Sequence, residues 1–116
     1  MSTITLYHNP RCSKSRQTLQ LLQEHGQEPE IRLYLETPPS REELRTLLHQ
    51  LQLGPRQLLR SGEQEYKDNN LKDPALSDDA LLDAMVAFPR LIERPIAIRG
   101  DQARIGRPPE NVLDLL

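Results

Sequence analysis

Cysteine is nearly absent from this chain of 116 residues: Cys12 is the only one. A single thiol excludes an intrachain disulfide and a metal site built from cysteine alone. Tryptophan is missing altogether, and the aromatic complement is Tyr7, Tyr34, Tyr66 and Phe88. So few rings argue against a platform on which nucleic-acid bases could stack. No apolar run reaches the length of a membrane span, and no signal-peptide pattern precedes the strand-like "TITLY", so a cytoplasmic protein is expected. A strong overall charge is also lacking: the formal net charge is -2, which gives no global pull towards nucleic acid or acidic membranes. Internal repeats, low-complexity segments and linkers are absent. The length and an apolar content of 36% fit one domain over residues 1–116. No interface stripe is evident, which makes a monomer the expectation.

What is present is an uneven charge. Residues 1–16 carry Arg11, Lys14 and Arg16 and no acid, and residues 90–107 carry Arg90, Arg94, Arg99, Arg104 and Arg107 against Glu93 and Asp101. Arginine supplies 12 of the 15 basic residues, and its planar fork suits bidentate contact with oxyanions. If the two islands meet in space they form an anion site; if not, they are solvated surface.

The apolar pattern orders the elements. "TITLY" (3–7) reads as a buried strand and "SKSRQTLQLLQEH" (13–25) as a helix with Thr18, Leu19 and Leu22 on one face and Gly26 as its stop. "EIRLYLE" (30–36) alternates Ile31, Leu33 and Leu35 in the manner of a strand. Ser40 and Glu43 form a capping box for a helix near 41–51. Three shorter helices are predicted within 54–90, an insert without strand signals. "PIAIR" (95–99) and "ARI" (103–105) read as a hairpin around Gly100–Asp101, and Pro108–Pro109 open a final helix. The order βαβα, helical insert at about 54–90, ββα predicts an α/β, thioredoxin-like fold: a four-stranded mixed sheet flanked by helices.

Cys12 lies where the first strand gives way to the first helix. A lone cysteine is often a buried, inert thiol. A helix N-terminus, however, offers unpaired N–H groups and a positive dipole end, which stabilise a thiolate, and Arg11, Lys14 and Arg16 add positive charge. The position favours a working nucleophile. His8 either tunes the thiol or caps the strand end. Asn9–Pro10 fixes the loop. Ser15, one helical turn on, either faces the sulfur or a bound oxyanion, or caps a backbone N–H. Residues 12–15 spell C-x-x-S rather than C-x-x-C, so any oxidised state of Cys12 has to be cleared by an outside thiol. The residue six positions after Cys12 is Thr18 rather than arginine, which argues against a cysteine-phosphatase loop. Arg60, Arg94 and Arg107 sit at the ends of elements, where side chains can converge or simply meet solvent. Pro95, at a strand entry, is a candidate cis-proline.

The segments "YHNPRCSKSRQTL", "LYLETPPSREEL", "LLR" at 58–60, "LIERPI" at 91–96 and "RIGRPPENVLDLL" together resemble the glutaredoxin-coupled arsenate reductase family along the whole chain. The resemblance implies a thioredoxin-like fold with a helical insert, and reduction of arsenate to arsenite with glutathione as co-substrate and glutaredoxin as partner, with no bound cofactor or metal. It implies Cys12 as nucleophile, Arg60, Arg94 and Arg107 as oxyanion-binding residues, His8 and Ser15 as thiolate-tuning residues, and Pro95 as the cis-proline of the fold. Well-studied members continue past the final helix, whereas this chain stops at Leu116; it looks like a short form. The same superfamily includes regulators that bind RNA polymerase, usually with C-x-x-C. A redox-sensing interaction protein and a glutathione-linked thiol-disulfide oxidoreductase are therefore the alternatives.

Overall fold

The structure, a computed structural model, describes residues 3–116. The described residues form two compact units: residues 3–37 with 94–116, and residues 38–93.

The first unit holds the sheet. Its strands are β1 (Thr5–Tyr7), β2 (Glu30–Arg32), β3 (Ile96–Arg99) and β4 (Gln102–Ile105), in the order β2-β1-β3-β4. β1 and β2 are parallel, with Leu6 opposite Ile31; β1 and β3 are antiparallel, with Leu6 opposite Ala97; β3 and β4 form the hairpin. This is the four-stranded mixed sheet that the element order predicts. Helix α1 (Ser13–Glu24) makes the β1–β2 crossover, and residues Pro109–Leu115 form a 3-10 helix packed on α1 and β4. Ile4, Leu6, Ala97, Leu22, Val112 and Leu115 close one core between them. The expected final helix is thus present but wound more tightly than an α-helix.

The second strand departs from expectation. Pairing stops at Arg32, and the chain turns through N–H groups of Glu36 and Thr37 that both donate to the Leu33 carbonyl. Ile31 and Leu35, two residues of the expected apolar face, are 41% and 39% exposed, whereas Tyr34 is fully buried. Tyr34 stacks on Tyr7 with ring centroids 6.1 Å apart. One large ring with a stacking partner outweighs two aliphatic side chains, so tertiary packing overrides the alternating pattern.

The second unit is helical: α2 (Arg41–Leu51), α3 (Pro55–Leu58), α4 (Gln64–Asp68) and α5 (Asp78–Ala87), then a 3-10 turn at Pro89–Leu91. α2 starts on the predicted capping box: Ser40 Oγ accepts from Glu43 N–H at 3.1 Å, and Glu43 Oε1 accepts from Ser40 N–H at 3.0 Å. Ser77 caps α5 in the same way through Ala80 N–H. Leu44, Leu47, Leu81, Leu82 and Met85 are buried, and α5 packs on α2 and α3. The three short helices expected within 54–90 are α3, α4 and α5, and α2 joins them in the unit of residues 38–93. The reason is that the apolar stripe of α2 meets α5. Among the described residues no helix is long and apolar enough to cross a membrane.

Candidate active site

The loop between β1 and α1 is shaped by its own sequence. Cys12 N–H donates to the Asn9 carbonyl at 2.9 Å, closing a turn with Pro10 at its second position, where the fixed φ of proline is suited. Asn9 Oδ1 accepts from Arg11 N–H at 3.0 Å, a second brace across the same turn. Arg16 donates back to the Pro10 carbonyl at 2.8 Å. The turn delivers Cys12 to the N-cap position of α1 with extended backbone angles, φ -95 and ψ 123.

The first turn of α1 contains no acid, and Lys14 and Arg16 stand against the positive end of the helix dipole. An anion at Cys12 relieves that local conflict. The sulfur does not form a regular cap hydrogen bond, yet it feels the nearby donors. Partial burial pushes the thiol pKa up; the N–H of Ser15, the hydrogen bond and charge of Arg94, and the N–H of Lys14 pull it down, and the net direction is below 9.0. Cys12 is only partly buried, so an outside reactant can reach it.

Two of the predicted arginines arrive at the same atom. Arg107 Nη2 lies 3.7 Å from Cys12 Sγ, from 95 residues away along the chain. Its Nε donates to the Arg94 carbonyl at 2.7 Å, which ties the two arginine segments together. The 3.7 Å contact is long and exposed to solvent. Arg94 carries the larger effect on the thiol, and Arg107 is not among the groups that set it. The Arg94–Pro95 bond is cis, and so is Arg107–Pro108, which the sequence reading did not single out.

His8 and Ser15 form a buried pair beneath the loop. His8 is 6% exposed and Ser15 fully buried. Ser15 Oγ accepts from Asn9 N–H at 3.0 Å and lies 2.7 Å from His8 Nδ1. The Ser15 hydroxyl and His8 Nδ1 share a hydrogen bond whose direction follows the ring tautomer. Burial, and then the charge of Arg16, hold His8 below its ordinary 6.5, which favours the neutral ring. The Ser15 hydroxyl is thus spent on His8 and Asn9, and Ser15 acts on Cys12 through its backbone N–H.

Gly106 was not singled out from the sequence. A Cβ there would lie 2.7 Å from Thr18 Oγ1 and 2.9 Å from Pro95 Cγ. The absence of a side chain lets the segment before Arg107 lie against both α1 and the cis-proline. A glycine between "ARI" and "RPP" was the only local signal. Arg60 belongs to the helical unit, where its Nη1 donates to Glu93 Oε1 at 2.6 Å and its Nε is 3.6 Å from Glu63 Oε2.

A mixed sheet, a crossover helix that starts after a lone thiol of lowered pKa, and an arginine that donates to the carbonyl preceding a cis-proline define a thioredoxin-like protein with one cysteine at a helix N-terminus. The chain belongs to the ArsC family, whose sequence pattern matches residues 7–115. It is 54% identical to the uncharacterized protein YfgD of Escherichia coli K12, over 97% of this chain and 96% of that one. It is 46% identical to an arsenate reductase of Haemophilus influenzae, over 98% and 99% of the two chains. The solved structure of an arsenate reductase from Vibrio cholerae superposes with a TM-score of 0.97 at 53% identity, covering 99% and 98% of the chains.

Proposed function

We propose that this protein is an arsenate reductase that depends on glutathione and glutaredoxin. The observation that carries the reading is the Cys12 sulfur at the N-cap of α1, with its pKa lowered by backbone N–H groups and Arg94, and with Arg107 at 3.7 Å. Cys12 thiolate attacks the arsenic of arsenate, and an arsenate oxygen leaves as water after protonation. Arg94 and Arg107 bind the oxyanion and offset the charge that gathers as the sulfur approaches. Arg60 is the third oxyanion-binding residue of this reading, and it is ion-paired with Glu63 and Glu93.

The thiolate of glutathione then attacks Cys12 Sγ. A sulfur–sulfur bond forms, the sulfur–arsenic bond breaks, and its electron pair stays on arsenic, which falls from the +5 to the +3 state and leaves as arsenite. Cys12 now carries glutathione as a mixed disulfide. The chain holds no second cysteine, so glutaredoxin removes the glutathione and restores the thiol. A reducing cytoplasm, where glutathione is plentiful, is the compartment this cycle requires, and a monomer is sufficient for it.

The test is NADPH consumption in a coupled assay with arsenate, glutathione, glutaredoxin and glutathione reductase. Wild type is expected to turn over with arsenate and Cys12→Ser to be inactive. Absence of arsenate-dependent turnover in the folded wild type would refute the reading, and turnover of glutathionylated substrates alone would replace it with a thiol-disulfide oxidoreductase.

A further inference from the structure

A cavity of about 300 Å³ lies beside the thiol loop, wholly within the sheet-bearing unit. Residues 8–11 line one wall, and Leu33, Leu35 and Glu36 line the other. Its volume is at the lower end of the range for small-ligand sites. Two opposite charges belong to it, Arg11 and Glu36, and both residues are exposed. Among the described residues neither side chain makes a hydrogen bond or an ion pair, with the other or with a third group. An unpaired cation and an unpaired anion on facing walls complement a molecule that carries both charges.

The cavity has a definite place relative to the sulfur. Tyr7 pairs with Arg32 on one side and with Ile96 on the other, and Ile96 pairs with Ile105. Across this end of the sheet therefore stand, in order, the segment after β2, the Cys12 loop, Arg94–Pro95 before β3 and Gly106–Arg107 after β4. Arg107 reaches Cys12 Sγ from the β4 side. The cavity flanks the loop on the β2 side, and Arg11, one of its charges, is next to Cys12 in the chain. A displacement at sulfur sets the incoming and departing groups in line. With an oxyanion on the arginine side, the incoming thiol arrives from the cavity side: the sulfur–sulfur bond forms there while the sulfur–arsenic bond breaks opposite, its electron pair staying on arsenic.

We propose that this cavity is the docking site of the thiol co-substrate, a small zwitterionic peptide thiol, with Arg11 taking a carboxylate and Glu36 the α-ammonium. The proposal rests on the reading of glutathione as co-substrate. Leu33 and Leu35 give the wall that covers the short apolar stems of such a peptide.

The experiment needs no arsenate, so its result is separate from that of the coupled assay. Cys12 is first converted to a mixed disulfide with thionitrobenzoate. Attack of glutathione thiolate on Sγ releases coloured thionitrobenzoate, and the second-order rate is measured for glutathione, for N-acetylated glutathione and for 2-mercaptoethanol. Arg11→Ala and Glu36→Gln are each expected to slow glutathione about two- to fivefold, the scale of a solvent-exposed charge contact, and to leave 2-mercaptoethanol unchanged. The Glu36 arm separates docking from general attraction. Glutathione is a net anion, so loss of a nearby negative charge would accelerate it by field alone, whereas loss of an ammonium contact slows it. Blocking the ammonium by acetylation should slow the wild type by the same factor and have no further effect in Glu36→Gln. Acceleration by Glu36→Gln, an equal effect on both thiols in either variant, or an N-acetylated thiol as fast as glutathione on the wild type would overturn the proposal. Should a variant not fold, the comparison of the two glutathiones on the wild type still decides it.

Discussion

Replacing Arg94 with methionine should raise the pKa of Cys12 more than the same change at Arg107. Methionine keeps an apolar stem of similar length, and the Arg94 carbonyl that receives Arg107 Nε is untouched. Arg94 is the side chain that lowers the thiol, by a hydrogen bond and by its charge. A hydrogen bond to a charged group contributes about 1.5–3 kcal/mol when well shielded. Cys12 is only partly buried, so solvent screening reduces this to about 1 kcal/mol, or about 0.7 of a pH unit. The N–H groups of Ser15 and Lys14 remain and still pull the thiol down against its burial. The assay is the rate of alkylation by iodoacetamide as a function of pH, whose midpoint reports the thiolate. Arg94→Met should move the midpoint up by about 0.7 unit, and Arg107→Met by less. The linkage has a definite sign. A thiol with a folded-state pKa below its unfolded one adds stability that is fully present above about pH 9 and is lost as pH falls through the folded value. Wild type should therefore gain on Arg94→Met as pH rises across that window. An unmoved midpoint in a folded Arg94→Met, or a larger shift in Arg107→Met, would refute the assignment.

Gly106→Ala forces a Cβ to 2.7 Å from Thr18 Oγ1 and 2.9 Å from Pro95 Cγ; overpacking of this kind costs about 1–3 kcal/mol and should lower the midpoint of thermal unfolding, and an unchanged Tm would contradict the close approach. Ser15→Ala leaves Asn9 N–H and His8 Nδ1 without their shared hydroxyl in a buried place; about 1–3 kcal/mol should be lost in urea denaturation. His8 is held below 6.5, so its contribution is present above that pH and lost as pH falls through the folded value; His8→Gln should flatten this acid limb of the stability profile, and an identical limb in both proteins would count against it. Ser40→Ala removes the cap of α2 and should cost about 1 kcal/mol in the same denaturation assay.

Much of the fold is legible locally. The capping box at Ser40 and Glu43, the stop at Gly26 and the hairpin around Gly100 each come from a few neighbouring residues, and all are present. The second strand is not legible in this way. Its alternation of Ile31, Leu33 and Leu35 points to a longer strand, but Tyr34 is the residue that finds a large partner surface. The partner of α2 is likewise hidden, because its apolar stripe reads the same whichever element covers it.

The site divides along the same line. A single cysteine after a strand, preceded by Asn9–Pro10 and followed by cations, is enough to locate a thiol at a helix N-terminus. The absence of any second cysteine is enough to leave any disulfide at Cys12 to an outside thiol. These conclusions need only chain-local geometry and a count. Only the tertiary structure decides that Arg94, more than Arg107, sets the thiol, that the Ser15 hydroxyl serves His8 and Asn9, that Gly106 must lack a side chain, and that Arg60 is held by Glu93. Each depends on groups distant in sequence brought within a few ångströms by packing, and hydrogen bonds and charges act over those distances and little beyond.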